Sequence, residues 1–260
     1  MKISRLVLPA LLGIAMCVSP VPAADFEFRG VVEAVDPTSR LLSFYAEKFT
    51  PEELALTIDE QPDDTGRFRD IHMDLTGVKI GGVRVERLTF RMNDVQFNSP
   101  SEWAEGNVEC KNALQIYAYC LLRESDVNDK LSAQTFGKDD HWKDITMKIT
   151  PAGLQARGVY VAKVLFVTLN ILIEAEGGLR IAEGRELWLD DYQVRVNTLD
   201  VPDYITRKAI SQIQPLLDLG RFPLPLRLHS VEFQEHQAVF STRIPPETMA
   251  GGITYHYMAE

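Results

Sequence analysis

Alternation of apolar and polar positions runs through most of this chain. Between Phe68 and Phe97, Ile71, Met73 and Leu75 alternate with His72, Asp74 and Thr76, a turn falls at "IGG", and Val83 and Val85 carry the pattern on. Period-two patterning marks strands with one buried face. The phase then slips to Leu88, Phe90 and Met92 and returns to Val95 and Phe97; such slips predict bulges, which bend long strands. "NALQIYAYCLL" alternates Leu114, Ile116, Ala118, Cys120 and Leu122 in the same way. Further strands are expected in "ITMKITPAGLQARGVYV", "TLNILIEAEGGLRIAEG" and "RELWLDDYQVRVNTLD", with turns at "PAG" and "EGG". "LALTID" from Leu54 reads as a shorter strand and "LRLHSVEFQEHQAVFSTRI" as a closing hairpin, while residues 251–260, "GGITYHYMAE", read as a loose tail.

Three segments follow a helical period instead. "DPTSRLLSFYAEKF" has Asp36 as N-cap, Pro37 in the first turn, and Leu41, Leu42, Phe44, Tyr45 and Phe49 on a greasy side. "RESDVNDKLSAQTFG" has Ser125 as N-cap, Gly137 as stop and a narrow apolar side of Val127, Leu131 and Phe136. The third opens with Asp200 as N-cap and Pro202 in its first turn, and places Ile205, Ala209, Ile213 and Leu217 on one face; Pro215 interrupts it near its end. It runs into "LDLGRFPLPLRLH", a connector of leucine, proline and phenylalanine with no residue along it that would carry a reaction.

At 260 residues with 45% hydrophobic residues, the chain has enough material for a core. No linker, low-complexity segment or solenoid repeat divides it, so residues 25–260 are expected to form a single α+β domain on long, curved antiparallel strands. Residues 1–24 stand apart as a cleavable signal peptide: Lys2 and Arg5 precede the apolar run "LVLPALLGIAM", and Val21, Ala23 and Ala24 supply small residues for cleavage. Cys17 follows bulky Met16 rather than the Gly or Ala of a lipidation box. The product is expected in the periplasm or exported cell envelope. The net charge of −10 repels phosphate polymers, so no nucleic-acid partner is expected, and an anionic lipid would be held mainly by its apolar part.

Cys110 and Cys120 would meet an oxidising compartment. A strand from Asn112 to Cys120 spans about 26 Å, whereas a disulfide needs its Cα atoms within about 7 Å, which argues against a bridge between them. No Gly-rich phosphate loop, Gly-x-Ser-x-Gly elbow or His-Glu-x-x-His helix occurs. In "HSVEFQEH" a strand would point His229 and Glu235 one way and Glu232 and His236 the other. Asp139, Asp140 and His141 read as a polar loop, and Asp190 and Asp191 are strand neighbours facing opposite sides. No catalysis, metal or cofactor is expected.

What remains is a surplus of apolar faces. Leu169, Ile171 and Ile173 line one strand face, Tyr192, Val194 and Val196 another, and the helices add theirs. Such rows serve equally as a filled core or as the wall of a cavity. The stretches "GRFRDIHMDLTGVKIGGVRVERLTFRMNDVQF", "ESDVNDKL" and above all "LDVPDYITRKAISQIQPLLDLGRFPLPLRLHSVEF" resemble the LmeA-like phospholipid-binding family of bacterial envelope proteins, over Gly66 to Ile244. Gln214 stands before Pro215 where the family pattern has asparagine, and "NSPSEWAEGNVECKN" is longer than usual. The resemblance implies a long, curved antiparallel sheet wrapping around or packed on two to three helices, as in tubular lipid-binding proteins. It also implies a phospholipid or glycolipid as partner, with transient contact at a membrane surface. On that reading the lipid-binding residues are Leu169, Ile171, Ile173, Tyr192, Val194, Val196, Ile205, Ile213 and Leu217. The alternative is an envelope scaffold or assembly factor with a filled core, which binds a protein through the same sheet.

Overall fold

The two longest alternating runs pair with one another. The computed structural model describes residues 25–133, 142–164, 167–211 and 214–260; the expected signal segment 1–24 and the Asp139–His141 loop lie outside the described residues. In chain order the elements are β1 (Asp25–Arg29), α1 (Pro37–Phe49), β2 (Glu53–Ile58), β3 (Arg67–Ile80), β4 (Val83–Phe97), α2 (Pro100–Trp103), β5 (Cys110–Arg123), α3 (Glu124–Ala133), β6 (Trp142–Thr150), β7 (Gly153–Val164), β8 (Val167–Ala182), β9 (Glu186–Val196), β10 (Leu199–Asp200), α4 (Asp203–Ile210), β11 (Leu217–Asp218), β12 (Ser230–Gln234), β13 (Gln237–Ser241) and β14 (Ile253–Met258).

The β3–β4 turn is Gly81–Gly82, with φ of 59° and 80°. Both central residues of a primed two-residue turn need positive φ, which glycine adopts at no steric cost. The expected phase slips occur on both strands at matched levels: the ladder is interrupted where Arg69 faces Asp94 and where Gly77 faces Glu86. Register is therefore kept, and Phe68, Ile71, Met73 and Leu75 stay buried with Leu88, Phe90, Met92 and Val95. This hairpin is the centre of an eight-stranded sheet of order β1-β14-β2-β3-β4-β5-β13-β12, antiparallel except for the β1–β14 pair.

The C-terminal residues are not a loose tail. β14 is inserted between β1 and β2, and Tyr255 is 0% exposed. Its Oη donates to Asp36 Oδ2 at 2.5 Å, while Asp36 Oδ1 accepts from Ser39 N–H at 2.7 Å as the N-cap of α1. The greasy side of α1 (Leu41, Leu42, Tyr45 and Phe49) packs with the inner face of this sheet in the larger core.

A second sheet has the order β10-β9-β8-β7-β6, with β11 added on β9. The turn expected at "EGG" is absent: β8 runs through Glu176–Gly178, β9 takes a bulge there with Asp191 at φ 50°, and the chain reverses at Glu183–Arg185. The glycine serves close packing, since a Cβ on Gly177 would stand 2.9 Å from Tyr192 Cβ. β6 is an edge whose free backbone groups are closed by α3. Asn128 donates to Met147 O at 2.8 Å and accepts from Met147 N–H at 2.7 Å, and Glu124 accepts from Ile149 N–H at 2.7 Å.

The helix expected from Asp200 to Leu217 is shorter, Asp203–Ile210. Leu217 belongs to β11, because Pro215 has no N–H for a helix, and the Leu216 and Gln214 donors are taken by Leu187 O (2.8 Å) and Leu189 O (3.0 Å) of β9. Among the described residues the fold is mostly strand, with four short helices and two open sheets, and is broadly α+β. A smaller core of Ile149, Leu187, Ala238 and Phe240 joins the sheets.

Candidate functional site

Where the two sheets meet, apolar side chains line a partly open cavity of about 390 Å³. The first sheet contributes Ile80, Val83, Val85, Leu88 and Phe90 from the β3–β4 hairpin, Ala118, Cys120 and Leu122 from β5, and Ala238 and Phe240 from β13. The second contributes Met147, Ile149, Leu154, Leu179 and Leu187, and α3 adds Val127. The remaining wall is the leucine-proline connector: Leu216, Leu217, Leu219, Phe222, Leu226 and Leu228. Along the connector Leu219, Leu224 and Leu226 are buried, whereas Pro215, Leu216 and Pro225 are exposed, so it runs along the edge of the cavity with those buried leucines turned inward. The donors nearby are tied to the β8–β9 turn, Leu219 N–H to Arg185 O at 2.9 Å and Leu228 N–H to Gly184 O at 2.8 Å.

The Cys120 thiol is the one side-chain hydrogen-bonding group in this wall. Burial pushes its pKa up to about 12, so it stays a neutral thiol. Water needs several polar partners to occupy a buried space, and apolar cavities without them stay dry and take apolar guests. The volume lies in the range of small-molecule sites, roughly 300–1,000 Å³.

Strand alternation extends the wall beyond the cavity. Leu169, Ile171 and Ile173 of β8 share one face with Tyr192, Val194 and Val196 of β9, through the register Ile173↔Val196 and Ala175↔Val194. Further along the same face lie Leu179 and Leu187, which line the cavity. The opposite face is polar: Lys148, Gln155, Arg157, Glu174, Glu176, Gln193 and Arg195 form a grid across the strands, with Arg195 and Glu176 3.1 Å apart. Six of the residues singled out in the sequence are thus brought onto one sheet face, and Leu217 stands in the cavity wall itself. Ile205 is exposed on α4, away from that wall, and Ile213 lies outside the described residues. Sequence reasoning passed over the β3–β4 and β5 residues of the wall; their alternation was legible, but nothing local told which of them face a void.

Among the described residues the polar candidates do not assemble. His236 sits in the β12–β13 turn, 3.2 Å from Glu124 and 3.5 Å from Glu235, and His229 precedes the other end of β12. Asp190 is 3.9 Å from Arg180, and Asp191 is the bulge residue. Among the described residues no three His, Cys, Asp or Glu side chains are grouped to hold a metal ion. Cys110 and Cys120, both free, lie at the start and near the end of β5. Among those residues no helix is long and apolar enough to cross a membrane.

No curated protein and no solved structure matched the chain. A family model did, over residues 48–243, a span that includes every residue of the cavity wall from Ile80 to Phe240. The chain belongs to the LmeA-like phospholipid-binding family.

Proposed function

We propose that this protein binds a phospholipid or glycolipid by its acyl part, in the cavity between the two sheets, and carries it without chemical change. The observation that carries the reading is the cavity wall, apolar throughout and contained within the family match. Each buried CH₂ contributes about 0.8 kcal/mol, so even part of an acyl chain supplies several kcal/mol. An acyl chain longer than the cavity continues along the face of Leu169, Ile171, Ile173, Tyr192, Val194 and Val196, with Leu217 at the junction. The two sheets then act as one curved, tube-like lipid holder. Exchange takes place in transient contact with a membrane surface, in the periplasm or exported envelope to which the N-terminal segment directs the chain.

The test is native mass spectrometry of the full chain, purified without detergent, beside Ala238→Phe. The wild type is expected to carry phospholipid or glycolipid adducts. The variant puts a ring into the cavity and is expected to lose them while melting no lower than the wild type. A wild type without lipid, together with a variant destabilised by about 1–3 kcal/mol through overpacking, would establish a filled core and the scaffold reading in its place.

A further inference from the structure

Among the described residues, large exposed apolar side chains stand singly at Val31, Val35, Leu114, Leu216 and Ile244, and four more lie on β8, β10 and α4. Leu169 is 46% exposed, Leu199 73%, Tyr204 70% and Ile205 45%, all on β8, β10 and α4. Isolated exposed leucines are ordinary, whereas a contiguous group marks a contact surface. Leu199 pairs with Val196 across β9–β10, so it extends the apolar face that leads back to the cavity. α4 is held beside β9: Val201 N–H donates to Val194 O at 2.9 Å, and a groove of about 440 Å³ between them is lined by Tyr192, Val194, Val201 and Thr206 together with Asp191, Gln193, Asp200, Asp203 and Arg207. Thr206 is the buried side chain of that helix, while Tyr204, Ile205, Arg207 and Lys208 are exposed.

The helix pattern names the surface these side chains fit. Tyr204 lies one turn from both Arg207 and Lys208, with Ile205 next to it. An aromatic ring with a polar tip, aliphatic side chains and cations on one short helix is the composition of an element lying at a membrane–water interface. There rings sit at headgroup level and cations meet phosphates. A protein of net charge −10 turns these two cations outward, while Asp203 sits in the helix's first turn, where its charge suits the helix dipole.

We propose that Leu169, Leu199, Tyr204 and Ile205, with Arg207 and Lys208, dock on a phospholipid bilayer. The docked face gives the cavity a route to the membrane along β8 and β9 that avoids water. The inference rests on the lipid-binding reading above and names the surface through which that lipid is exchanged.

Flotation of the full chain with vesicles of phosphatidylethanolamine and phosphatidylglycerol tests it, with adducts read by native mass spectrometry on the same samples. Wild-type protein is expected to float with the vesicles. Leu199→Glu combined with Ile205→Glu changes two exposed positions; it should lower vesicle binding at least about ten-fold while leaving Tm and adducts unchanged. Arg207→Gln with Lys208→Gln should weaken binding by about five-fold per charge, from about 1 kcal/mol for each cation at an anionic surface. Wild-type protein that carries lipid adducts but does not float, or a Leu199/Ile205 variant that floats like wild type, overturns the docking surface and leaves lipid binding standing. A concentration-dependent dimer that the same variant dissociates also overturns it, because the face is then covered by a second copy. Wild-type protein that lacks adducts overturns the lipid-binding reading itself, and with it the exchange route.

Discussion

His72 stands in a charged row on the outer face of the first sheet, between Asp70 and Asp74 on its own strand and opposite Arg91 on β4. Arg91 is 2.7 Å from Asp70 and Arg87 is 2.5 Å from Asp74, so the neighbours pair with each other and leave the imidazole out. His72 is only 6% exposed, and its Nε2 has no hydrogen-bond partner among the described residues. Burial pushes its pKa below the ordinary 6.5; Asp74 pulls it upward and Arg91 downward by lesser amounts. Well above pH 6.5 the imidazole is neutral both folded and unfolded and contributes nothing to pH dependence. Below that pH the unfolded chain takes up a proton that the folded one resists, so stability falls. Between pH 7 and 5.5, Tm of the wild type should drop further than Tm of His72→Phe. Parallel profiles would show that the site hydrates when charged. Alternation correctly placed His72 on the outward face, but strand period does not show that this position is covered.

At the scale of elements, β14 shows why a strand can hide at a chain terminus. Ile253, Tyr255 and Tyr257 alternate as strand residues do, but β14's partners, β1 and β2, lie about two hundred residues earlier, so no local signal announces the pairing. Tyr255 stacks on Phe26 at 4.7 Å and accepts from Gln61 Nε2 at 2.6 Å while holding the α1 cap. Tyr255→Ala should therefore cost about 3–5 kcal/mol, by analogy with buried aromatic truncations, read as a lower urea midpoint with unchanged slope. A loss within about 0.5 kcal/mol would return these residues to the status of a tail. The third helix illustrates the opposite error. Its i, i+4 pattern continues to Leu217, yet Pro215 and the free β9 carbonyls divert the chain into β11.

For the whole molecule, burial sets the chemistry of the two thiols, and Cys120 is the one that stands in the cavity wall. Burial pushes Cys110 to about 11 and Cys120 to about 12, so at pH 8 the folded protein holds almost no thiolate at either. Iodoacetamide should label Cys120 about a thousand-fold more slowly in the native protein than in urea. Native labelling at the unfolded rate would mean that the cavity admits water. Substrate-like thiol chemistry is thereby separated from the cavity's apolar role.

The period of the apolar residues was enough to find most strands and the amphipathic character of the second sheet. Tertiary structure decided which rows meet. A row of leucine and valine looks the same in sequence whether it packs on another row, faces a void or stands in water, since the pattern reports one strand's two faces and nothing about what lies opposite. Only the pairing of β5, β13 and the β3–β4 hairpin against the second sheet leaves Ala118, Cys120 and Ala238 around an opening. Those contacts join residues far apart in the chain, and their geometry depends on the bulges and prolines that bend the path between them.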